Sequence, residues 1–174
     1  MTVGYSLWLM PSAADQAELT GWVQRLAPEF GQPAFVPHVT IQGDLETPLE
    51  ILQAKTAALA SSCGVLHWPV QAVHSTEYFF RCMYLRFEET QAFKALQDGA
   101  LAISGTVTGL SPYPHLSLAY GQMQPGQQTL LALMEENFLT RPLTFDRLSI
   151  SRSSKDIPIS EWTCLQDFPL KPIT

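Results

Sequence analysis

The sequence predicts an α+β fold made of two similar halves. Strand and helix patterns alternate along the whole chain without a linker or low-complexity run, and each half holds a near-copy of one pentapeptide, PHVTI (37–41) and PHLSL (114–118). Each copy reads proline, histidine, aliphatic residue, hydroxyl residue, aliphatic residue. Because the chain has only four histidines, this repetition is its most informative feature. One such strand in each half is what a pseudo-twofold pair of lobes requires.

The elements of the first half follow from local patterns. YSLWLM (5–10) is a short apolar run that ends at a proline, which is typical of a buried strand. Over 12–30 the apolar residues recur at steps of three and four, which predicts an amphipathic helix. PHVTIQGDL (37–45) alternates as a strand does. The TPLE pattern that opens 47–59 is a capping box with proline at the first helical position, so we expect a helix there.

The second half repeats this order and ends with two further strands. In sequence, the predicted elements are neighbouring strands at 70–75 and 78–87, a helix at 90–101, a proline-rich turn at 111–114, a strand at 115–121, a helix at 127–139, and strands at 143–151 and 162–168.

Composition limits the classes of function. A chain of 174 residues that is 46% hydrophobic and 15% charged is typical of a globular protein, and we expect one bilobal domain over 1–174. The net charge of −6 argues against binding long nucleic acid by neutralising many phosphates, which needs a basic surface. A small anionic ligand in a local pocket is still allowed.

The cysteines argue against a disulfide-stabilised or zinc-binding protein, and the first residues argue against a membrane protein. Cys63, Cys82 and Cys164 are odd in number and lack CxxC spacing, so we expect buried thiols and neither a disulfide framework nor a zinc site. No basic residue precedes Arg25, and the apolar stretch that follows residue 4 is too short to span a bilayer. We therefore expect a cytoplasmic protein with no membrane partner.

The two pentapeptides carry the predicted chemistry. Side chains alternate between the faces of a strand, so His38 and Thr40 share one face while the aliphatic residues lie behind them. The same alternation groups His115 with Ser117. An imidazole can move a proton to or from a reacting oxygen, and a hydroxyl can donate to a non-bridging phosphate oxygen. Two such strands facing across a cleft would hold one phosphoryl group from both sides.

The duplicated tetrapeptides HVTI and HLSL resemble the signature of the 2H phosphoesterase superfamily. The resemblance is closest to cyclic phosphodiesterases that act on ADP-ribose 1″,2″-cyclic phosphate and nucleoside 2′,3′-cyclic phosphates, and it extends to YSLWLMP, FVPHVTI, YFFRC and PYPHLSLAYG. It implies two pseudo-symmetric lobes with antiparallel sheets flanking a central cleft. SRSSKDIPISEW (151–162) matches poorly, so no site residue is predicted from it.

The implied reaction is hydrolysis of a cyclic phosphodiester to a phosphomonoester without metal or cofactor. Water attacks phosphorus in line with the departing ribose oxygen, so a base and an acid must lie on opposite sides of the phosphate. The resemblance favours His115 as the base and His38 as the acid, although the sequence itself does not decide between the two. The hydroxyls of Thr40 and Ser117 would stabilise charge on the phosphoryl oxygens.

Three aromatic residues are the predicted substrate-binding groups. The resemblance implies that Trp8, Phe80 and Tyr120 line the nucleotide site, with Phe80 sharing a strand face with Tyr78. Tyr120 lies five residues after His115, and an odd offset places two residues of a regular strand on opposite faces. Tyr120 therefore reaches the cleft only if the strand bulges or ends there. The cationic residues that could attract a pyrophosphate, which we expect instead to be solvated, are Arg81, Arg152 and Lys155.

The expected partner is a small cyclic phosphate nucleotide bound by a monomer. Two alternatives remain: an RNA-processing 2H enzyme, either 2′-5′ ligase-like or an oligonucleotide 3′-end phosphodiesterase, and a catalytically silent nucleotide-binding module. A metal hydrolase is disfavoured because no further ligands occur at suitable spacing near either histidine.

Overall fold

The structure is a computed structural model that describes residues 4–173, so the ends of the predicted domain at 1–3 and 174 lie outside the described residues. The described part contains seven strands and four α-helices. The strands are β1 (Tyr5–Pro11), β2 (Val39–Leu45), β3 (Leu66–His74), β4 (Met83–Phe87), β5 (His115–Ala119), β6 (Pro142–Arg152) and β7 (Thr163–Pro169). The helices are α1 (Ala13–Leu26), α2 (Leu49–Ser62), α3 (Gln91–Ser104) and α4 (Gln128–Phe138).

The two halves of the chain exchange their third strands. Each half runs strand, helix, strand, helix, strand, as β1-α1-β2-α2-β3 and then β4-α3-β5-α4-β6. β3 pairs with β4 of the second half, and β6 pairs with β1 of the first, all antiparallel. One lobe therefore has the strand order β2-β1-β6-β7, and the other has β5-β4-β3 followed by the start of β6. The predicted α+β fold with two antiparallel lobes is confirmed.

The two histidine-bearing strands meet at the junction of the lobes. β2 and β5 pair through Val39 and Leu116, the residues that directly follow the two histidines. This register places equivalent positions of the pentapeptides opposite each other, as a pseudo-twofold axis between the strands requires. It explains how two histidines far apart in sequence reach the same cleft.

Helices from the opposite half support each histidine-bearing strand. α1 packs on β5 and α3 packs on β2, whereas α2 covers β6 and β7 and α4 covers β3. The aliphatic residues behind the histidines are fully buried, at 0% exposure for Val39, Ile41, Leu116 and Leu118. Burying an aliphatic side chain of this size contributes about 1.5–3 kcal/mol, so the predicted apolar faces anchor both strands.

The predicted capping box at residues 47–50 is wrong. Pro48 is itself the N-cap of α2, with an extended ψ of 137°, and no side chain caps the helix. The helix therefore begins one residue later than predicted, which leaves Thr47 too early to reach the third helical N–H. Glu50 still lies in the first turn, where its charge favours the helix dipole.

The predicted strand at 78–87 is wrong over its first half. Residues Phe79–Arg81 form a 3₁₀ turn, and β4 begins only at Met83. The Arg81 N–H donates to the Tyr78 carbonyl at 2.9 Å, and the backbone N–H and hydroxyl of Thr76 both donate to the Arg81 carbonyl. Tyr78 and Phe80 therefore do not share a strand face.

The cysteines are free, but they are not all buried as predicted. Cys82 is buried, Cys63 is partly exposed and Cys164 is exposed on β7, a strand whose side chains are mostly open to solvent. Within residues 4–173, no helix has both the length and the apolar character needed to cross a membrane.

Candidate active site

A cleft of about 240 Å³ lies where the two lobes meet. Its wall is formed by β1, β2 and β5, by the loop between α3 and β5, by the 3₁₀ turn before β4, and by the segment that links β6 to β7. All seven predicted site residues line it, namely Trp8, His38, Thr40, Phe80, His115, Ser117 and Tyr120.

Both histidines are oriented by the same backbone contact. Nδ1 of His38 lies 2.7 Å from the Val36 carbonyl, and Nδ1 of His115 lies 3.0 Å from the Tyr113 carbonyl, in each case two residues earlier. A carbonyl can only accept, so Nδ1 carries the proton in both rings and Nε2 is the free nitrogen. In the described part of the chain, neither Nε2 has a hydrogen-bond partner. Both rings thus present the same atom for proton transfer.

The two rings differ in their surroundings. His38 stacks on Trp8 with 3.7 Å between ring centroids and exposes only 7% of its surface. His115 is more open and meets the rings of Tyr84 and Tyr113 edge-on at 5.5 and 5.4 Å. An indole face stabilises a neighbouring cation, so the surroundings of His38 can support an imidazolium when an anion is present.

Burial keeps both imidazoles neutral near pH 7. Loss of solvent lowers the pKa of His38 to about 3, with the Val36 carbonyl opposing the shift and His115 adding to it. Burial likewise lowers the pKa of His115 to about 4, with the Tyr113 carbonyl opposing and the charges of Arg81 and Arg86 adding to it. A bound phosphate anion would raise both pKa values by Coulomb attraction.

The two hydroxyl residues are not equivalent. Thr40 is half-buried, and its hydroxyl has no hydrogen-bond partner among the described residues, so it can donate to a ligand. The Ser117 hydroxyl donates to the Phe80 carbonyl at 2.7 Å. Ser117 therefore ties the 3₁₀ turn to β5, and its proton reaches a phosphate only if that bond is given up.

Four aromatic rings form one wall of the cleft. The ring of Trp162 lies 5.9 Å from Phe80, 5.9 Å from Tyr120 and 6.1 Å from Trp8. β5 ends at Ala119, which meets the condition under which Tyr120 enters the cleft. Burial raises the pKa of Tyr120 well above its usual value, so its hydroxyl stays protonated. Such a wall suits a stacked base or ribose.

Sequence reasoning missed several residues of the cleft wall. Trp162, Ser153 and Ser154 come from the segment 151–162, from which no site residue was predicted. Ser6 was missed as well, although strand alternation in YSLWLM places it on the same face as Trp8 and could have identified it.

Two of the three cationic residues that we expected to be solvated lie in the cleft wall. Arg81 is partly buried in it, Lys155 lines it and is exposed as expected, and Arg152 is exposed outside it. Across residues 4–173, no three His, Cys, Asp or Glu side chains are grouped so that they could share a metal ion.

Comparisons with known proteins identify the family. A sequence profile described as "Cyclic phosphodiesterase-like protein" matches residues 1–166. A cyclic phosphodiesterase from Arabidopsis thaliana is 28% identical over 123 residues, which cover 68% of this chain and 66% of that protein. The chain thus spans just under two thirds of the length of this curated relative.

Solved structures share the fold at low sequence identity. The protein TT0787 of Thermus thermophilus superposes with a TM-score of 0.62 at 16% identity, covering 97% of this chain and 98% of that one. E. coli LigT complexed with 3′-AMP superposes with a TM-score of 0.56 at 13% identity, covering 96% of this chain and 97% of that one.

Two antiparallel lobes, each contributing one HxS/T strand to a shared cleft, define a 2H phosphoesterase. Within that superfamily, the chain belongs to the cyclic phosphodiesterase-like family.

Proposed function

We propose that the protein hydrolyses small cyclic phosphodiesters, either nucleoside 2′,3′-cyclic phosphates or ADP-ribose 1″,2″-cyclic phosphate, to phosphomonoesters. The observation that carries this proposal is that His38 and His115 line one cleft with Nδ1 anchored and Nε2 free in both rings. The family profile and the Arabidopsis thaliana relative support the same class of substrate.

In the proposed reaction each histidine moves one proton. Nε2 of the base takes a proton from water as the water oxygen attacks phosphorus in line with a ribose oxygen. The bond from phosphorus to that ribose oxygen breaks, and the acid donates its Nε2 proton to the leaving oxygen. One water is consumed, and the product is a phosphomonoester with a free ribose hydroxyl.

We assign His115 as the base and His38 as the acid. Arg81 and Arg86 disfavour a positive charge on His115, which suits a base that must start neutral. The Trp8 ring stacked on His38 stabilises an imidazolium, which suits an acid. Because burial lowers the pKa of His38 to about 3, we expect the substrate anion to bind together with a proton.

The test is turnover of adenosine 2′,3′-cyclic phosphate in the presence of EDTA, followed by ³¹P NMR. We expect conversion to a phosphomonoester, with kcat/KM lowered about 10²- to 10⁴-fold in His38→Ala and in His115→Ala because each removes a general acid or base. The matched control is His74→Ala, since that ring is exposed and lies outside the cleft. Near-normal turnover in either cleft variant would overturn the two-histidine scheme.

The same assay separates the remaining alternatives. Cleavage of an oligonucleotide without turnover of the mononucleotide would identify an RNA-processing enzyme. Binding of the cyclic nucleotide without any turnover, in the wild-type protein, would identify a silent nucleotide-binding module.

A further inference from the structure

Two of the four aromatic rings in the cleft wall are already stacked on other rings. Trp8 stacks on His38 with 3.7 Å between ring centroids, and it is only 2% exposed. Tyr120 stacks on Phe35 at 3.8 Å with an interplanar angle of 17°, and it is only 4% exposed. A planar ligand could stack on either ring only by displacing its neighbour. Both residues line the cleft, but their ring faces are not free to bind a base.

The other two rings of the wall, Phe80 and Trp162, are only partly buried. Their centroids lie 5.9 Å apart and their planes differ by 24°, so the rings are nearly parallel. Phe80 is also packed edge-on against Phe79 and Tyr120, at 4.9 and 5.2 Å. Within the described residues, Trp162 is the one ring of the wall with no other ring centroid closer than 5.9 Å. Trp162 is therefore the least enclosed of the four rings.

The indole of Trp162 is held in place through its single hydrogen-bond donor. Its Nε1–H donates to the Ile157 carbonyl at 2.9 Å, and the Trp162 backbone N–H donates to the Ile159 carbonyl at 3.1 Å. An indole has no acceptor and no second donor, so only the ring face is left to contact a ligand. Such a face binds planar heterocycles by stacking.

Trp162 lies on the same side of the cleft as the proposed acid. Its centroid is 6.1 Å from Trp8, and Trp8 is the ring that stacks on His38. Only one ring thus separates the Trp162 indole from the His38 imidazole. In a nucleoside 2′,3′-cyclic phosphate, the base and the cyclic phosphate are attached to the same ribose. This spacing is therefore compatible with one nucleotide that contacts both residues.

We propose that Trp162 is the ring on which the base of the substrate stacks, and that it makes the protein prefer cyclic phosphates whose cyclised ribose carries a base. This inference rests on the proposed function. Of the two candidate substrates it favours nucleoside 2′,3′-cyclic phosphates, because the cyclised ribose of ADP-ribose 1″,2″-cyclic phosphate carries no base. Trp8 and Tyr120 then support the site through the rings on which they stack.

The kinetic test compares adenosine 2′,3′-cyclic phosphate with the 2,3-cyclic phosphate of methyl β-ribofuranoside, which has the same reacting group but no base. We expect the wild-type protein to favour the adenosine compound by about 10- to 100-fold in kcat/KM, the range for stacking one base on an aromatic ring. Trp162→Leu should bring this ratio close to one by raising KM for the adenosine compound alone. Trp162→Phe keeps a ring and should restore part of the preference.

The matched control is Trp22→Leu, which removes a partly buried indole outside the cleft and should keep the wild-type ratio. Continued turnover of the base-free compound by Trp162→Leu shows that its catalytic groups are still in place. Equal losses for both compounds in Trp162→Leu would show a structural role and overturn the inference. A wild-type ratio near one, or an unchanged ratio in Trp162→Leu, overturns it as well.

A binding measurement keeps the inference separate from the proposed function. Isothermal titration with adenosine 3′-phosphate and with the 3-phosphate of methyl β-ribofuranoside needs no turnover. We expect the adenosine compound to bind about 10-fold more tightly to the wild-type protein and to have no advantage in Trp162→Leu. If this holds while neither cyclic compound is hydrolysed, the base site stands and the proposed function fails. Equal affinities in the wild-type protein overturn the base site.

Discussion

Each histidine donates to the carbonyl two residues earlier, and the proline of each pentapeptide accounts for this geometry. A proline disfavours helical backbone in the residue before it, here Val36 and Tyr113. Extended backbone at these positions helps direct their carbonyls toward the Nδ1 atoms of His38 and His115. In each pentapeptide, the proline therefore favours the tautomer in which Nδ1 of the following histidine carries the proton.

The pH dependence of kcat/KM follows from the lowered pKa values. kcat/KM reports the protonation of the free enzyme, in which the pKa of His38 is about 3 and that of His115 about 4. We expect a bell-shaped profile with its maximum on the acid side of pH 6.5, the ordinary histidine value. A pH-rate series checks this, and a rate that keeps rising to high pH would count against two histidines.

The two hydroxyls should respond differently to removal. Thr40→Val removes a partly exposed hydroxyl that lines the cleft and has no hydrogen-bond partner among the described residues, so we expect kcat to fall by about 10²- to 10³-fold with the melting temperature unchanged. Ser117→Ala also releases the Phe80 carbonyl, so we expect a loss of about 1 kcal/mol of stability in addition. Steady-state kinetics and urea unfolding of both variants measure the difference, and equal stability of the two would contradict it.

The predictable part of the cleft is the part that follows strand alternation. His38, Thr40, His115 and Ser117 line the cleft because alternate residues of a strand share a face. Trp162 and Ser154 belong to irregular segments. In such segments no periodic pattern relates the position of a residue in the sequence to the direction of its side chain. Their places depend on how distant strands pair.

At the scale of elements, one loop passes so close to β2 that only glycine fits. Gly109 has φ 78°, and its carbonyl accepts the Gly43 N–H at 2.8 Å. A Cβ at Gly109 would fall 1.9 Å from the Gly43 carbonyl oxygen. Both residues line the cleft, so this contact shapes the cleft wall and also contributes to the stability of the protein.

We expect Gly109→Ala to destabilise the protein by at least about 1–3 kcal/mol, because it combines a backbone clash with a strained φ. The matched control is Gly21→Ala in α1, where a Cβ meets nothing within 4 Å. That change should stabilise the helix by about 0.5–1 kcal/mol. Urea unfolding measures the change in the free energy of unfolding for each variant. Changes of the same sign in Gly109→Ala and Gly21→Ala would refute the argument.

Helices were predicted better than the aromatic segment before β4. The periodic apolar residues of α1 and α3 face a core, and their spacing is visible in the sequence. Phe79 and Phe80 have the composition of a strand, but they form a turn whose carbonyls are bound by Thr76 and Ser117. Those partners are tertiary contacts, which local propensity does not reveal.

At the scale of the whole molecule, the cleft makes stability depend on pH. The folded pKa values of His38 and His115, about 3 and 4, lie below the ordinary value of 6.5, so the folded state binds fewer protons than the unfolded chain. The contribution of these two pKa shifts to the free energy of unfolding is fully present above pH 6.5 and is lost as the pH falls toward 4. His38→Gln/His115→Gln should flatten this dependence.

Urea unfolding at pH 4.5 and 7.5 tests the pH effect. The control His67→Gln/His74→Gln changes two exposed rings and should leave the wild-type dependence in place. Equal pH dependence in the cleft double variant and the wild-type protein would show that other groups control acid unfolding.

The two lobes could be predicted from the repeated pentapeptide, but the exchange of strands between them could not. Periodicity tells which residues form a strand, whereas pairing of β3 with β4 and of β6 with β1 depends on contacts between distant segments. The same holds for α1 and α3, whose buried faces are clear from sequence although the strands that they cover belong to the other half.

The exchange of β3 and β6 leaves neither half of the polypeptide with a complete sheet of its own. A nick in the connection that follows His74 would yield two fragments. Each would hold one of the two cleft histidines and would lack the helix that packs on the strand bearing it. The cleft would then form again only when the fragments reassemble, so under the proposed function the architecture is suited to a split-enzyme reporter in which complementation restores turnover.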